Sequence, residues 1–281
     1  MMKNILIVGL GLIGGSYAKA LRGFPDALVF GVDTNQAVLD AAISDGAISK
    51  GFTDINEAAP LADVIILCIT PDKACEIINF APIRPNTLVT DVCGVKQYVY
   101  DKITNRNIDF IGGHPMAGRE CEGYENSLEN LFVGANYILV TDEHNKKEHI
   151  DLLCDIIKYI GCKKITFTNA KNHDKMIAYT SQLMHIVAAA LCDNECLDVA
   201  EGYSAGSLRD CTRVAKLNPQ MWAELFLENT DELCEQIDIF TKSLNNISTL
   251  IKEKNREGII EYLKNTSERK KRYLAESDTH K

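Results

Sequence analysis

The chain has 281 residues, 46% hydrophobic and 25% charged, which suits a folded protein of about two domains and excludes a disordered, collagen-like or coiled-coil chain. With 30 Lys and Arg against 39 Asp and Glu, the net charge of −9 argues against a partner with a phosphate backbone or an anionic lipid surface, so no nucleic acid and no membrane is expected. The 10 cysteines contain no Cys-x-x-Cys pair and several lie in apolar runs, as free thiols do in a reducing cytoplasm, so no metal site is expected.

Lys3, the apolar run Ile5 to Gly15 and Ala18-Lys19-Ala20 superficially copy a secretory signal. The glycines at 9, 11, 14 and 15 interrupt that run and fit a strand-to-helix turn better. A first strand, Ile5–Val8, leads into Gly9-Leu10-Gly11-Leu12-Ile13-Gly14-Gly15, whose spacing lets the backbone turn tightly and approach a pyrophosphate. The helix beginning near Gly14 aims its free N–H groups at the phosphates. A second strand, Leu28–Val32, ends at Asp33, where a carboxylate accepts hydrogen bonds from ribose hydroxyls. Glycines alone also make a plain strand–helix corner; strand, glycines, helix, strand and acid together predict a dinucleotide site. Asp33 repels a 2′-phosphate and no Arg follows in Thr34-Asn35-Gln36, which favours NAD over NADP. The expected cofactor set is Gly9, Gly11, Leu12, Ile13, Gly14, Asp33 and Thr70.

Further strands are predicted at Val64–Ile69, Leu88–Asp91, Phe110–Gly112, Tyr137–Val140 and Lys164–Phe167, with helices from Asn35, Asp72, Lys96, Glu122 and His144. This alternation predicts an open, mostly parallel sheet covered by helices on both faces. His114, in Gly112-Gly113-His114-Pro115-Met116-Ala117-Gly118, falls at the strand edge where such sheets place ligands. An imidazole there suits drawing a proton from a hydroxyl while hydride leaves the same carbon, although a lone His at a strand end is often only a hydrogen-bonded surface residue.

From Asn169 the strand signals stop, which gives domains at 1–168 and 169–281, the second all helix. Met176 to Leu191 is apolar nearly all round, as in a helix buried against neighbours or a second subunit, so a homodimer is expected. His185 on it reads more often as a core histidine. Glu224–Phe240 and Leu244–Leu263 look amphipathic, and the charged tail from Ser267 reads as a solvated face. Arg209 and Arg213, spaced i, i+4, either line a surface helix or supply the fixed guanidinium that an anionic substrate needs.

Together the glycine turn, Asp91-Val92-Cys93-Gly94-Val95-Lys96, His114 to Gly118, His173-Asp174 followed by Ser181 to His185, and Arg209-Asp210-Cys211-Thr212-Arg213 with Pro219 and Trp222 resemble the prephenate dehydrogenase family along essentially the whole chain. The resemblance implies an α/β Rossmann-type dinucleotide-binding domain followed by an all-α dimerisation domain. It implies NAD-dependent oxidative decarboxylation of prephenate to 4-hydroxyphenylpyruvate, in tyrosine biosynthesis. By the same resemblance His114 is catalytic, polarising the ring C4 hydroxyl. Arg213 binds a substrate carboxylate, His185 orients the substrate, and Glu120 and Asp210 help gate the pocket. Arogenate, carrying an amino acid group in place of the pyruvyl carbonyl, is the alternative substrate; a non-catalytic NAD-sensing protein is a remote one. Dehydrogenases of the β-hydroxyacid type use a lysine on the helical domain, but nothing selects Lys171 or Lys175 over His114. Two departures stand out. Gly94 replaces a serine whose hydroxyl helps hold the histidine in many members, and Gln182-Leu183-Met184-His185 keeps only the second histidine of the family's His-Leu-Pro-His. The two domains leave no room for a fused chorismate mutase or amino-acid-sensing domain, so tyrosine feedback is expected only at the catalytic site.

Overall fold

The computed structural model describes residues 2–278. Its chain order begins β1 (Lys3–Val8), α1 (Leu12–Ala20), β2 (Ala27–Val32), α2 (Gln36–Ser44), β3 (Lys50–Phe52), α3 (Ile55–Ala58), β4 (Val64–Leu67) and α4 (Pro71–Phe80). It continues with β5 (Leu88–Asp91), α5 (Gln97–Lys102), β6 (Asp109–Pro115), β7 (Asn136–Val140), α6 (Lys147–Tyr159) and β8 (Lys164–Thr168). The eight strands form one sheet in the order β3-β2-β1-β4-β5-β6-β7-β8. Strands β1 to β6 pair in parallel, and β7 runs antiparallel to β6. This is a Rossmann-type α/β sheet with a mixed edge.

The apolar runs of the central strands bury both faces, because successive side chains point to opposite sides. Ile5, Ile7, Val64 and Ile66 join one core with Tyr17 and Leu153. Leu6, Val8, Ile65 and Leu67 join the other with Ala74 and Val99. The strand order reverses between β1 and β4, so the crevice at their C-terminal ends is where this architecture takes a ligand.

Three local features differ from the expectation. β3 is an additional strand of only three residues, and Gly51 within it lies where a Cβ would meet the Leu39 side chain at 3.0 Å. The helix expected from Glu122 is a single turn, Tyr124–Asn126, because Gly123 enters it at a φ of +89° and Tyr124 is anchored through its hydroxyl to Asp45. β6 runs three residues beyond Gly112, because its first half pairs with β5 and its second half, Gly112–Pro115, pairs with β7. His114 is therefore held within a strand, opposite Ile138.

After β8 the chain is helical: α7 (Ala170–Ile177), a wider five-residue turn at Ala178–Gln182, α8 (Leu183–Cys192), α9 (Gly206–Thr212) and α10 (Pro219–Leu227). The apolar stretch expected as one helix, Met176 to Leu191, is helical throughout with that wider turn inside it, and Met176, Tyr179, Met184 and Leu191 are exposed in the single chain. Residues through Thr230 form one compact unit with the sheet. The second unit, from Asp231, holds most of α11 (Thr230–Lys252) and all of α12 (Arg256–Asp278), joined by a short turn in which Lys254 adopts a φ of +54°. The helices expected at Glu224–Phe240 and Leu244–Leu263 are therefore divided differently, at 228–229 and 253–255. All ten cysteines are free. No helix among the described residues is long and apolar enough to cross a membrane.

Candidate active site

The glycine turn divides its tasks by position. Gly9 has a φ of +84°, and a Cβ there would lie 2.6 Å from Ile69 Cγ2 and 2.7 Å from the Cys68 carbonyl oxygen. A Cβ on Gly14 would sit 1.8 Å from the Gly9 carbonyl oxygen, so this glycine lets α1 pack against the turn. Gly11, at the start of α1, has nothing within 4 Å of that position. The open space over Gly11 would admit a pyrophosphate, and α1 carries no acidic residue in its first turn to oppose one. Leu12 and Ile13 form the first helical residues. Asp33 accepts the Leu10 N–H at 2.9 Å through one oxygen and the Asn35 N–H at 2.9 Å through the other. Each oxygen keeps acceptor capacity for a ribose hydroxyl. Thr70 lies exposed just before α4, with no side-chain bond to the helix.

These positions predict opposite effects from the same substitution. Gly14→Ala should destabilise the fold by about 1–3 kcal/mol or more, because backbone must move to admit the methyl group. Gly11→Ala should leave thermal unfolding unchanged and weaken dinucleotide binding, as measured by calorimetry, because its methyl fills only that open space. Equal binding by Gly11→Ala and the wild type would place the phosphates elsewhere.

Further along the same sheet edge, β5 and β6 build a cluster of charged and titratable groups. Asp91 and Lys96 are both fully buried and pair at 2.6 Å. Asp91 also accepts the Gly113 and Cys93 N–H groups, and the Lys96 ammonium donates to the Cys93 carbonyl at 2.8 Å. The neighbouring Gly113 needs its bare Cα, since a Cβ would lie 2.6 Å from the Asp91 carbonyl oxygen and from the Tyr137 hydroxyl. One residue on, His114 Nδ1 lies 2.9 Å from Nε2 of His173, which is buried on α7. His173 Nδ1 lies 2.7 Å from Asp174 Oδ1. Asp174 in turn accepts the N–H groups of Lys96 and Gln97, each at 2.8 Å, at the start of α5. Burial lowers the His114 pKa well below its ordinary value, and the nearby His173 and Lys96 add to the shift. Burial lowers that of His173 too, against the opposing pull of Asp174.

The helical segment carries a second cluster. His185 on α8 donates from Nδ1 to the Ser181 carbonyl at 2.9 Å and lies against Trp222 of α10, with ring centroids 3.8 Å apart. Its pKa is lowered by burial and by Arg213. Arg213 follows α9, in a turn that packs on α8, and its guanidinium lies 3.6 Å from Glu120, on the loop that leaves β6. Asn218, the cap of α10, donates to Glu122 of the same loop at 2.6 Å. A buried amide network holds this segment: Asn229 donates to Gln182 at 2.7 Å and to the Asp174 carbonyl at 3.1 Å, and Gln182 donates to the Leu225 carbonyl at 2.9 Å.

The structure thus brings His185, Arg213 and Glu120 together, pairs His114 with His173, and sets the glycine turn, Asp33 and His114 along the same sheet edge. Asp210 stands apart, exposed on α9 with Arg209 at 4.0 Å. Sequence reasoning gave no role to His173, Asp174 or Trp222, although all three lie in motifs quoted for the resemblance. It also left the buried Asp91–Lys96 pair unremarked, and the only signal for it was two charges flanking an apolar segment.

Comparison with known proteins identifies the family. Residues 17–166 match the family model described as prephenate dehydrogenase, nucleotide-binding domain, and residues 169–265 match prephenate dehydrogenase, dimerization domain. A cyclohexadienyl dehydrogenase from Zymomonas mobilis is 31% identical over 94% of this chain and 94% of its own length. The crystal structure of prephenate dehydrogenase from A. aeolicus, in complex with hydroxyphenyl propionate and NAD+, is 32% identical at a TM-score of 0.83, covering 97% of this chain and 99% of that one. Arogenate dehydrogenase from Synechocystis is 28% identical at a TM-score of 0.83, covering 96% of this chain and 99% of that one. With both halves matched in order by the two domains of one family, and relatives aligned over nearly their full length, the chain belongs to the prephenate dehydrogenase family.

Proposed function

We propose that this chain catalyses the NAD-dependent oxidative decarboxylation of prephenate to 4-hydroxyphenylpyruvate, the step that leads toward tyrosine. The observation that carries this reading is a neutral imidazole at the sheet edge, His114, whose Nδ1 is occupied by His173 and whose Nε2 is left for a substrate hydroxyl. Gly9, Gly11, Leu12, Ile13, Gly14, Asp33 and Thr70 would hold the cofactor. NAD, when bound, supplies the hydride acceptor. His114 Nε2 takes the proton of the ring hydroxyl as the C4 carbonyl develops, and returns it to that oxygen when the loss of carbon dioxide makes the ring aromatic and leaves the electron pair there. His185 and Trp222 wall the ring, and Arg213 takes a substrate carboxylate in exchange for Glu120. Asp210 is retained as a gating residue, acting from the rim.

Residues 1–168 act in this reading as the cofactor domain and 169–281 as the substrate and dimerisation domain. The exposed apolar side chains Tyr179, Met184 and Leu191 support a homodimer, and the ten free cysteines support a cytoplasmic location.

Purified protein mixed with prephenate and NAD should generate NADH, with little or none of the reduced cofactor when NADP is supplied. Arogenate assayed alongside measures the substrate preference. NAD binding without turnover of either substrate would leave the non-catalytic reading. Arg213→Ala should raise KM for prephenate by about 10- to 100-fold, the worth of one charge-assisted hydrogen bond, with a smaller change in kcat. An unchanged KM would assign the carboxylate to another cation.

A further inference from the structure

The role of His114 as a base requires that its proton sit on Nδ1 and its lone pair on Nε2. A neutral imidazole has no intrinsic reason to hold that tautomer; the bond made by the other nitrogen decides it. In this chain Gly94 offers no hydroxyl to fix the ring. The groups that do meet it come from α7. Asp174 accepts three N–H donors at 2.7–2.8 Å, from His173 Nδ1, Lys96 and Gln97, the pattern of a carboxylate that only accepts. His173 must then carry its proton on Nδ1. With that ring buried and neutral, its Nε2 is an acceptor, and the atom 2.9 Å away, His114 Nδ1, must be the donor. Each assignment follows from the one before, and the series ends at a fixed charged group.

We propose that His173 and Asp174 are positioning residues that lock His114 in the Nδ1–H tautomer, aim its Nε2 lone pair into the site, and do here what a hydroxyl at position 94 cannot. The proposal rests on His114 being the base of the reaction above. It also explains how the helical segment helps to build the catalytic centre of the sheet: Asp174 is fastened to the first turn of α5 through two backbone N–H groups and to the turn after α10 through the bond from Asn229 to its own carbonyl. When the substrate proton moves to His114 Nε2, the new positive charge is shared along the hydrogen bond to His173 and faces the Asp174 carboxylate. No proton need pass along the relay, which orients and stabilises His114 until it returns its proton to the C4 oxygen as carbon dioxide leaves.

Two variants separate this role from simple packing. His173→Phe keeps an aromatic ring and removes the acceptor; His173→Gln removes the ring and can place an amide oxygen near the position of Nε2. His173→Phe should lower kcat by about 10²-fold or more, with KM for NAD unchanged, and His173→Gln should recover most of that loss. A purely structural role predicts the reverse order, because Phe preserves the packing better than Gln does. The ¹⁵N resonances of His114 in the free protein read the tautomer without any turnover. They should show protonation at Nδ1 in the wild type and a shift toward Nε2 protonation in His173→Phe. If the wild-type protein turns over prephenate and His114→Asn does not, the base assignment stands, and normal kcat in His173→Phe overturns the positioning role alone. Nε2 protonation of His114 in the wild type overturns it whatever the activity.

Discussion

Replacing His114 by Asn should lower kcat with prephenate by about 10²- to 10⁴-fold and leave NAD affinity within error of the wild type. The asymmetry follows from where the two functions sit. NAD is assigned to the turn after β1, where Gly11 leaves open space and Asp33 faces the crevice, and none of those groups hydrogen-bonds to His114. Asparagine retains a polar group that can meet His173, so the β6–α7 junction keeps a hydrogen bond, but it supplies no base. Calorimetry with NAD and initial rates with prephenate read the two quantities independently. Wild-type activity in His114→Asn would remove the histidine from the chemistry.

The same residue sets an expected pH dependence. The His114 pKa lies well below the ordinary histidine value of about 6.5, so the neutral, proton-accepting form persists as pH falls through that value. kcat/KM should therefore stay on its plateau at pH 6.5 and decline only below it. The groups acting on the imidazole from the packed elements are His173 on α7, itself bonded to Asp174, and Lys96 before α5, itself paired with Asp91.

The parts of the fold that were legible in the sequence are those where one residue pattern has one physical meaning. Continuous apolar β-branched runs such as Val64–Leu67 bury both faces of a strand and read as such. The glycine turn was equally clear, because a Cβ at Gly14 would sit 1.8 Å from the Gly9 carbonyl oxygen, which leaves no choice of residue. β3 was missed because Lys50-Gly51-Phe52 is too short to show a period, and its strand state depends on pairing with Phe30 to Val32. The helix expected from Glu122 failed for the opposite reason: its composition allows a helix, but Gly123 and the anchored Tyr124 hold the segment as a loop that reaches Asn218. His114 stood out by its strand edge and by the family resemblance. His173 and Asp174 did not, because their function appears only when α7 is laid against β6 and α5, contacts of 59 and 78 residues' separation.

Lys96→Met should destabilise the protein by about 3–5 kcal/mol, a large share of a typical stability of about 5–15 kcal/mol. Asp91 and Lys96 are both completely shielded from water, so removing the ammonium leaves a carboxylate with only the Gly113 and Cys93 N–H groups to compensate its charge. The penalty is mainly that of stranding a charge, and a second substitution exposes it. Asp91→Asn in the Lys96→Met background removes the charge while an amide oxygen still accepts one of the two N–H bonds. The double variant should therefore be more stable than Lys96→Met, yet below the wild type because one buried N–H loses its acceptor. Denaturant unfolding measures all three. The pair also touches the chemistry, since the Lys96 charge helps to depress the pKa values of His114 and His173. Without it a proton binds His114 more readily, and the acid limb of kcat/KM should move upward in pH toward the ordinary histidine value. A Lys96→Met protein as stable as the wild type would mean that water or another cation reaches Asp91. An unmoved acid limb would mean that burial and His173 alone hold His114 neutral.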